Sequence, residues 1–127
     1  MSAKTQRIIG WVLSGLITAF LIGGSAAPKL FLADTPDMAE RLGEMGFTTD
    51  VMKKIGIVEA IVAVLYVIPR TGFLGAILVT GYLGGAIATH VRVQDIKFIM
   101  PIVMGVLVWV ALGLRQPGVF RLAAGKD

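Results

Sequence analysis

The stretch IGIVEAIVAVLYVIPRTGFLGAILVTGYLGGAIATHVR, residues 55–92, decides the fold. It holds two apolar runs separated only by Pro69, Arg70 and Thr71, and Glu59 is the one carboxylate inside either run. So short a connection forces neighbouring helices to lie antiparallel. Each run approaches the roughly 17–25 residues that a helix needs to cross a bilayer. A hairpin of membrane spans is therefore the unit from which the rest is read.

Outward from the hairpin, two more apolar runs flank it, and the expected spans are residues 8–27, 53–69, 72–90 and 98–114. The chain of 127 residues is 56% hydrophobic, well above the roughly 45–50% of soluble domains, and its mean hydropathy is +0.83. The expectation is an all-α fold: an integral membrane four-helix bundle forming a single transmembrane domain over residues 1–127. Lys4 and Arg7 precede the first run, as in a secretory signal, and Ser25, Ala26 and Ala27 resemble a cleavage site. A signal core is usually only about 7–15 residues long, so this segment is expected to be retained.

The longest polar stretch, residues 28–54, has an apolar pattern of its own in Met38, Leu42 and Met45. Thr35 as cap, Pro36 at the first helical position and Gly46 as the stop predict a short amphipathic helix in the first extramembrane loop. It would lie at the interface as a surface lid.

The net charge is +4, but the twelve Lys and Arg residues flank the apolar runs and never cluster. Nucleic-acid binding is excluded on that ground, since no basic stripe or reading module is present. The same residues divide evenly between the two sides of the expected bundle. The basic residues beside the first helix carry most weight, and Lys4 and Arg7 place both termini in the cytoplasm. The chain has no cysteine, which removes disulfides and thiolate chemistry.

Helices in lipid pack through small residues and polar contacts. Gly15, Ala19, Gly23 and Ala27 recur every four residues, as do Gly56 and Ala60, and Gly81, Gly85 and Thr89. These ridges are read as seams within the bundle, with a homodimer contact as their second use. Trp11, Trp109 and the terminal arginines read as interface anchors, and the methionines as packing residues.

A carboxylate about one turn inside a span costs a few kcal/mol unless it is paired, so Glu59 should face the interior. The hairpin brings the end of the third span, with His90, to the same membrane face, so Glu59 and His90 are expected to meet. Lys29, at the end of the first span, reaches that face too, and Arg92 and Asp34 lie close by. Tyr66 is two turns beyond Glu59 on its face, and Tyr82 two turns before His90. Ser14, Thr18 and Ser25 form a stripe on the first span. Two readings stand: an ion-paired clasp that fixes helix register, or a site that holds a ligand or moves a proton through Lys29, Glu59, Tyr66, Tyr82, His90 and Arg92. Glu59 and His90 are the catalytic candidates under the second. One histidine and one glutamate make a poor ligand set, so no metal is expected.

The segments Gly56-Ile57-Val58-Glu59-Ala60-Ile61, Ile68-Pro69-Arg70-Thr71 and Gly75 through Arg92 resemble the DoxX-like family of small four-helix bacterial membrane proteins, with Gly81 to Arg92 the most specific part. The resemblance spans about Ile8 to Arg115. It implies the cytoplasmic (inner) membrane of a bacterium. Members of the wider family are associated with a thiosulfate:quinone oxidoreductase and with oxidative-stress complexes, and distant animal relatives act as membrane chaperones or bind sterol-like ligands. No cofactor motif is evident in the chain, and a quinone is the ligand that the resemblance implies. Three functions follow as expectations: a binding or accessory subunit for an apolar small molecule such as a quinone or isoprenoid, working beside membrane lipid and a membrane oxidoreductase partner; an isomerase or oxidoreductase using Glu59 and His90; or an assembly partner of another membrane protein.

Overall fold

The computed structural model describes residues 1–126. Among the described residues the chain is helical and contains no strand. Ser2 starts the first helix by accepting the Thr5 N–H at 3.1 Å, satisfying one of the amides that a helix start leaves without a partner. This helix, α1 (Ala3–Phe31), runs 29 residues but changes pitch on the way. Ala3–Ala19 is α-helical, Phe20–Ala26 is π-helical, and Ala27–Phe31 returns to α. Pro28 accounts for the change: it has no N–H, and in a regular helix its ring meets the carbonyl four residues back, here Gly24. The wider winding lets the Ala27 N–H reach the Ile22 carbonyl instead.

The lid helix forms as α2 (Pro36–Glu44), with Pro36 in its first turn. Thr35 sits at the cap position, but its hydroxyl donates to the Leu32 carbonyl at 2.8 Å rather than accepting from the helix. At the other end Gly46 takes φ +86°. There Phe47 N–H donates to Leu42 O at 2.8 Å and Gly46 N–H to Gly43 O at 3.1 Å, a paired closure that a left-handed residue makes available. Leu42, with Met38 and Phe47 beside it, packs on Met52 and Ala33 in a small cluster under the lid.

Thr48 then caps α3 (Thr49–Val67) by accepting the Val51 N–H at 3.2 Å. A 3₁₀ turn, Pro69–Thr71, makes the hairpin into α4 (Gly72–Arg92). A second 3₁₀ turn, Ile96–Phe98, leads into α5 (Ile99–Arg115), and α6 (Gly118–Ala123) follows. The sequence gives no sign of α6, whose Phe120 lies against the bare backbone of Gly113.

The four long helices close a ring: α1 packs on α3 and α5, and α4 packs on α3 and α5. Ile17, Leu21, Val62, Ala63, Tyr66, Val79, Val108 and Leu112 fill its centre. Among the described residues three helical stretches are long and apolar enough to cross a membrane: Ala3–Phe31, Pro69–Arg92 and Ile96–Arg115. Helix α3, expected as the span 53–69, is not among them, because Asp50, Lys53, Lys54 and Glu59 dilute its apolar run.

The small-residue ridges meet the structure only in part. Gly56 lies close to α1, where an added Cβ would stand 3.0 Å from Lys29 Cβ and 3.2 Å from the Ala26 carbonyl. Gly15, Gly23, Gly81 and Gly85 face open space. The tightest approaches to backbone are elsewhere: Gly75 against the Tyr66 backbone, and Gly10, whose added Cβ would stand 2.6 Å from Arg115 N and 2.9 Å from the Ala111 carbonyl. Backbone cannot yield as a side chain can. Gly10→Ala is therefore expected to destabilise by about 1–3 kcal/mol, whereas Gly15→Ala should stay within about 0.5 kcal/mol of the parent. Unfolding curves in a neutral detergent compare the two, and coincident curves would remove the α1–α5 contact as a determinant of the fold.

Candidate functional site

Only the Ala3–Ala19 part of α1 packs on α5; the π-helical part and the last turn pack on α3 instead. That divergence leaves a cavity of about 760 Å³ between Phe20, Gly24 and Pro28 of α1 and Met100, Pro101 and Met104 of α5. Gly81, Tyr82, Gly85 and Thr89 of α4 form its floor, and the lid covers it with Met38, Leu42, Met45 and Phe47. Five of the chain's six methionines line it: Met38, Met45, Met52, Met100 and Met104. Read from the sequence as packing residues, they give the cavity an adaptable apolar wall.

The polar groups gather at one end. Glu59 is only 1% exposed, and Lys29 Nζ donates to its Oε1 at 2.9 Å. The same ammonium donates to Ser25 Oγ at 2.6 Å and to the Ser25 carbonyl at 3.4 Å. Ser25 belongs to the π-helical turn, so the irregularity that Pro28 imposes supplies two of the three acceptors on Lys29. Tyr82 stands beside the pair, its ring centroid 5.8 Å from Lys29 Nζ and its hydroxyl interacting with Glu59 and Ser25. The charge of Glu59 is thus met by a cation that donates a hydrogen bond to it, which is what burial of a carboxylate requires.

His90 reaches the cavity from the end of α4 without a hydrogen bond or ion pair to Glu59 among the described residues. Its Nδ1 lies 3.2 Å from Asp95 Oδ2. Asp95 Oδ1 accepts the Lys97 N–H at 3.0 Å, and the Asp95 N–H donates to the His90 carbonyl at 2.9 Å. Gln94, at φ +58°, folds this turn back on the helix end. The Lys97 N–H, and after it His90, hold the Asp95 carboxyl below its ordinary value of 3.8. Asp34 is lowered in the same way by Lys53, at 2.5 Å on the outer edge of the lid, and does not join the cavity.

The remaining sequence candidates go elsewhere. Arg92 points to the lid, where its Nη2 donates to the Met45 carbonyl at 2.5 Å. A cation at the C-terminal end of α2 also suits that helix's dipole, so Arg92 holds the cover rather than lining the interior. Tyr66 shares a face with Glu59 but lies about 10 Å further along the helix axis, in the core beyond the cavity. There its hydroxyl donates to the Val108 carbonyl at 2.7 Å and lies 3.4 Å from Ser14 Oγ. Asp95 and Lys97 were the residues that sequence reading passed over, as parts of a polar connection. The hint available was an aspartate five residues after the single histidine.

Three helical stretches apolar and long enough to cross a membrane, packed around a cavity with a charged pair at one end, are the features of a helical membrane protein. The chain belongs to the DoxX-like family, whose model matches residues 12–111. Comparison with curated proteins and comparison with solved structures each gave no match.

Proposed function

We propose that this DoxX-like protein is a membrane-embedded binding protein that takes an apolar, lipid-like molecule, a quinone or another isoprenoid, into the cavity beside Lys29 and Glu59. The observation that carries this reading is the cavity itself. Its volume of about 760 Å³ falls within the roughly 300–1,000 Å³ of small-molecule sites, which are mostly apolar with a few placed polar groups. The methionine wall accepts a flexible chain, and Glu59, held by Lys29, receives a polar end together with Tyr82 and His90.

In this reading the four long helices cross the cytoplasmic membrane as one bundle, with both termini on the cytoplasmic side. Helix α3 makes the fourth crossing despite its charges. It turns Ile57, Val58, Ile61 and Val64 outward, each exposed, while Glu59 points in. Exposed apolar side chains on α1, α4 and α5 complete an outer surface suited to lipid. The divergence of α1 from α5 is the entry, and Gly24, Gly81 and Gly85 keep it open with no side chains of their own.

Gly85 provides the test, since it lines the cavity and an added Cβ there meets nothing within 4 Å. Gly85→Phe should fill the space and leave the helices packed as before. Native mass spectrometry of the detergent-purified protein, with extraction of bound lipids, should find a quinone or isoprenoid on the parent chain and a loss of about tenfold on the variant, with unchanged unfolding. An empty parent chain, or equal retention by both, would sink the reading.

A further inference from the structure

Two acceptors on one carboxylate decide what the cavity can recognise. Asp95 lies outside the cavity wall, whereas His90 lines it, and with Nδ1 turned to Asp95 Nε2 is the ring nitrogen available to a ligand. Asp95 is ionised at neutral pH and can only accept hydrogen bonds. The proton between Asp95 Oδ2 and His90 Nδ1 therefore sits on the imidazole nitrogen, and in the neutral form of the ring Nε2 carries a lone pair. Of the other polar groups in the lining, Glu59 accepts, Tyr82 and Lys97 can donate, and the Lys29 donors are occupied by Ser25 and Glu59.

We propose that Asp95 is a positioning residue which fixes His90 as a hydrogen-bond acceptor, and that among the molecules the cavity takes it prefers a hydroxyl head, an isoprenoid alcohol or the phenol of a reduced quinone, over counterparts without the proton, the oxidised quinone included. The proposal rests on the reading of the cavity as a binding site and adds the chemistry of the head. A hydroxyl donates to His90 Nε2; an ether of the same size leaves that lone pair without a donor.

His90 is the chain's one histidine, so protein labelled with ¹⁵N-histidine gives imidazole signals that need no assignment. Spectra at pH 8, above the ordinary imidazole range, should show a protonated Nδ1 and a bare Nε2. In Asp95→Asn the single carbonyl oxygen has to serve the Lys97 N–H, and the amide NH₂ turns to Nδ1. The proton should then move to Nε2, a change of tautomer without loss of geometry. Asp95 lies in a connecting turn and is not part of the helix packing, so the variant should fold.

Binding is read with geranylgeraniol and its methyl ether as probes, in a neutral detergent. The parent should prefer the alcohol by about tenfold, the size of one net hydrogen bond, and Asp95→Asn should bring the two probes level. Comparing the ratio between parent and variant cancels unequal partitioning of the probes into the micelle. Equal binding of both probes to the parent, a proton on Nε2 in the parent, or an unchanged preference in Asp95→Asn each overturns the proposal while the binding site stands. If neither probe binds, the site reading falls and takes the proposal with it; the tautomer spectra then still report whether Asp95 orients the ring.

Discussion

Lys29→Met is expected to cost about 2–3 kcal/mol of stability, measured by unfolding in a neutral detergent. Removing one member of a buried pair leaves the other as an uncompensated charge, which costs roughly 3–5 kcal/mol when both are fully buried. The side chain of Lys29 is 23% exposed and that of Glu59 1%, so screening at the lysine end trims the figure. The same asymmetry ranks the reverse change. In Glu59→Gln the lysine keeps Ser25 and can lift its ammonium toward water, so that variant should lose only about 1 kcal/mol. The double variant Lys29→Met with Glu59→Gln should recover most of the loss, because no bare charge remains. The cycle of four proteins measures the coupling directly. A Lys29→Met protein as stable as its parent would mean that the two side chains meet as neutral groups.

This pair was readable in the sequence because a carboxylate inside an apolar run has to find a cation, and the hairpin of α3 and α4 leaves few places for one. The hairpin followed from three residues between two runs, and the lid from Thr35, Pro36 and Gly46. What local pattern could not show was the direction in which α1 leaves its neighbour. Pro28 announces a break, but that the break is taken up as a π-helical turn, and that it swings the helix onto α3, depends on packing around Gly56. The cavity follows from that swing and was legible only as a set of polar residues on one membrane face. Gly15, Gly23, Gly81 and Gly85 misled for the same reason: spacing by four puts residues on one face and does not say whether a helix or a cavity stands opposite. Asp95 escaped notice because its bond to His90 needs a left-handed Gln94, a conformation that a non-glycine residue seldom declares.

Trp11 and Arg115 were expected at the interface as anchors, as residues at the ends of spans usually are. The structure turns Arg115 inward instead, to 4% exposure. Its guanidinium lies 4.3 Å from the centroid of the Trp11 ring and 4.8 Å from that of Tyr66, and it donates to the Tyr66 carbonyl. The side chain thus ties α1, α3 and α5 at the end of the bundle opposite the cavity, with its charge at the negative C-terminal end of α3. Bare Gly72 makes the room for the guanidinium, and Gly10 lets α1 come close to the backbone at Arg115.

Arg115→Ala is accordingly expected to lose about 3–5 kcal/mol, from the void it leaves together with the lost carbonyl bond and ring contacts. Charge and packing can be told apart, because the Nε and Nη1 groups are buried without a hydrogen-bond partner among the described residues. Each such donor costs free energy that an apolar side chain does not. Arg115→Met keeps most of the volume, gives up the cation and removes those donors, so it should fall only about 1–2 kcal/mol below the parent. If methionine proves as damaging as alanine in detergent unfolding, the charge on the two rings and the carbonyl holds this end together; if methionine matches the parent, the arginine acts there as a wedge.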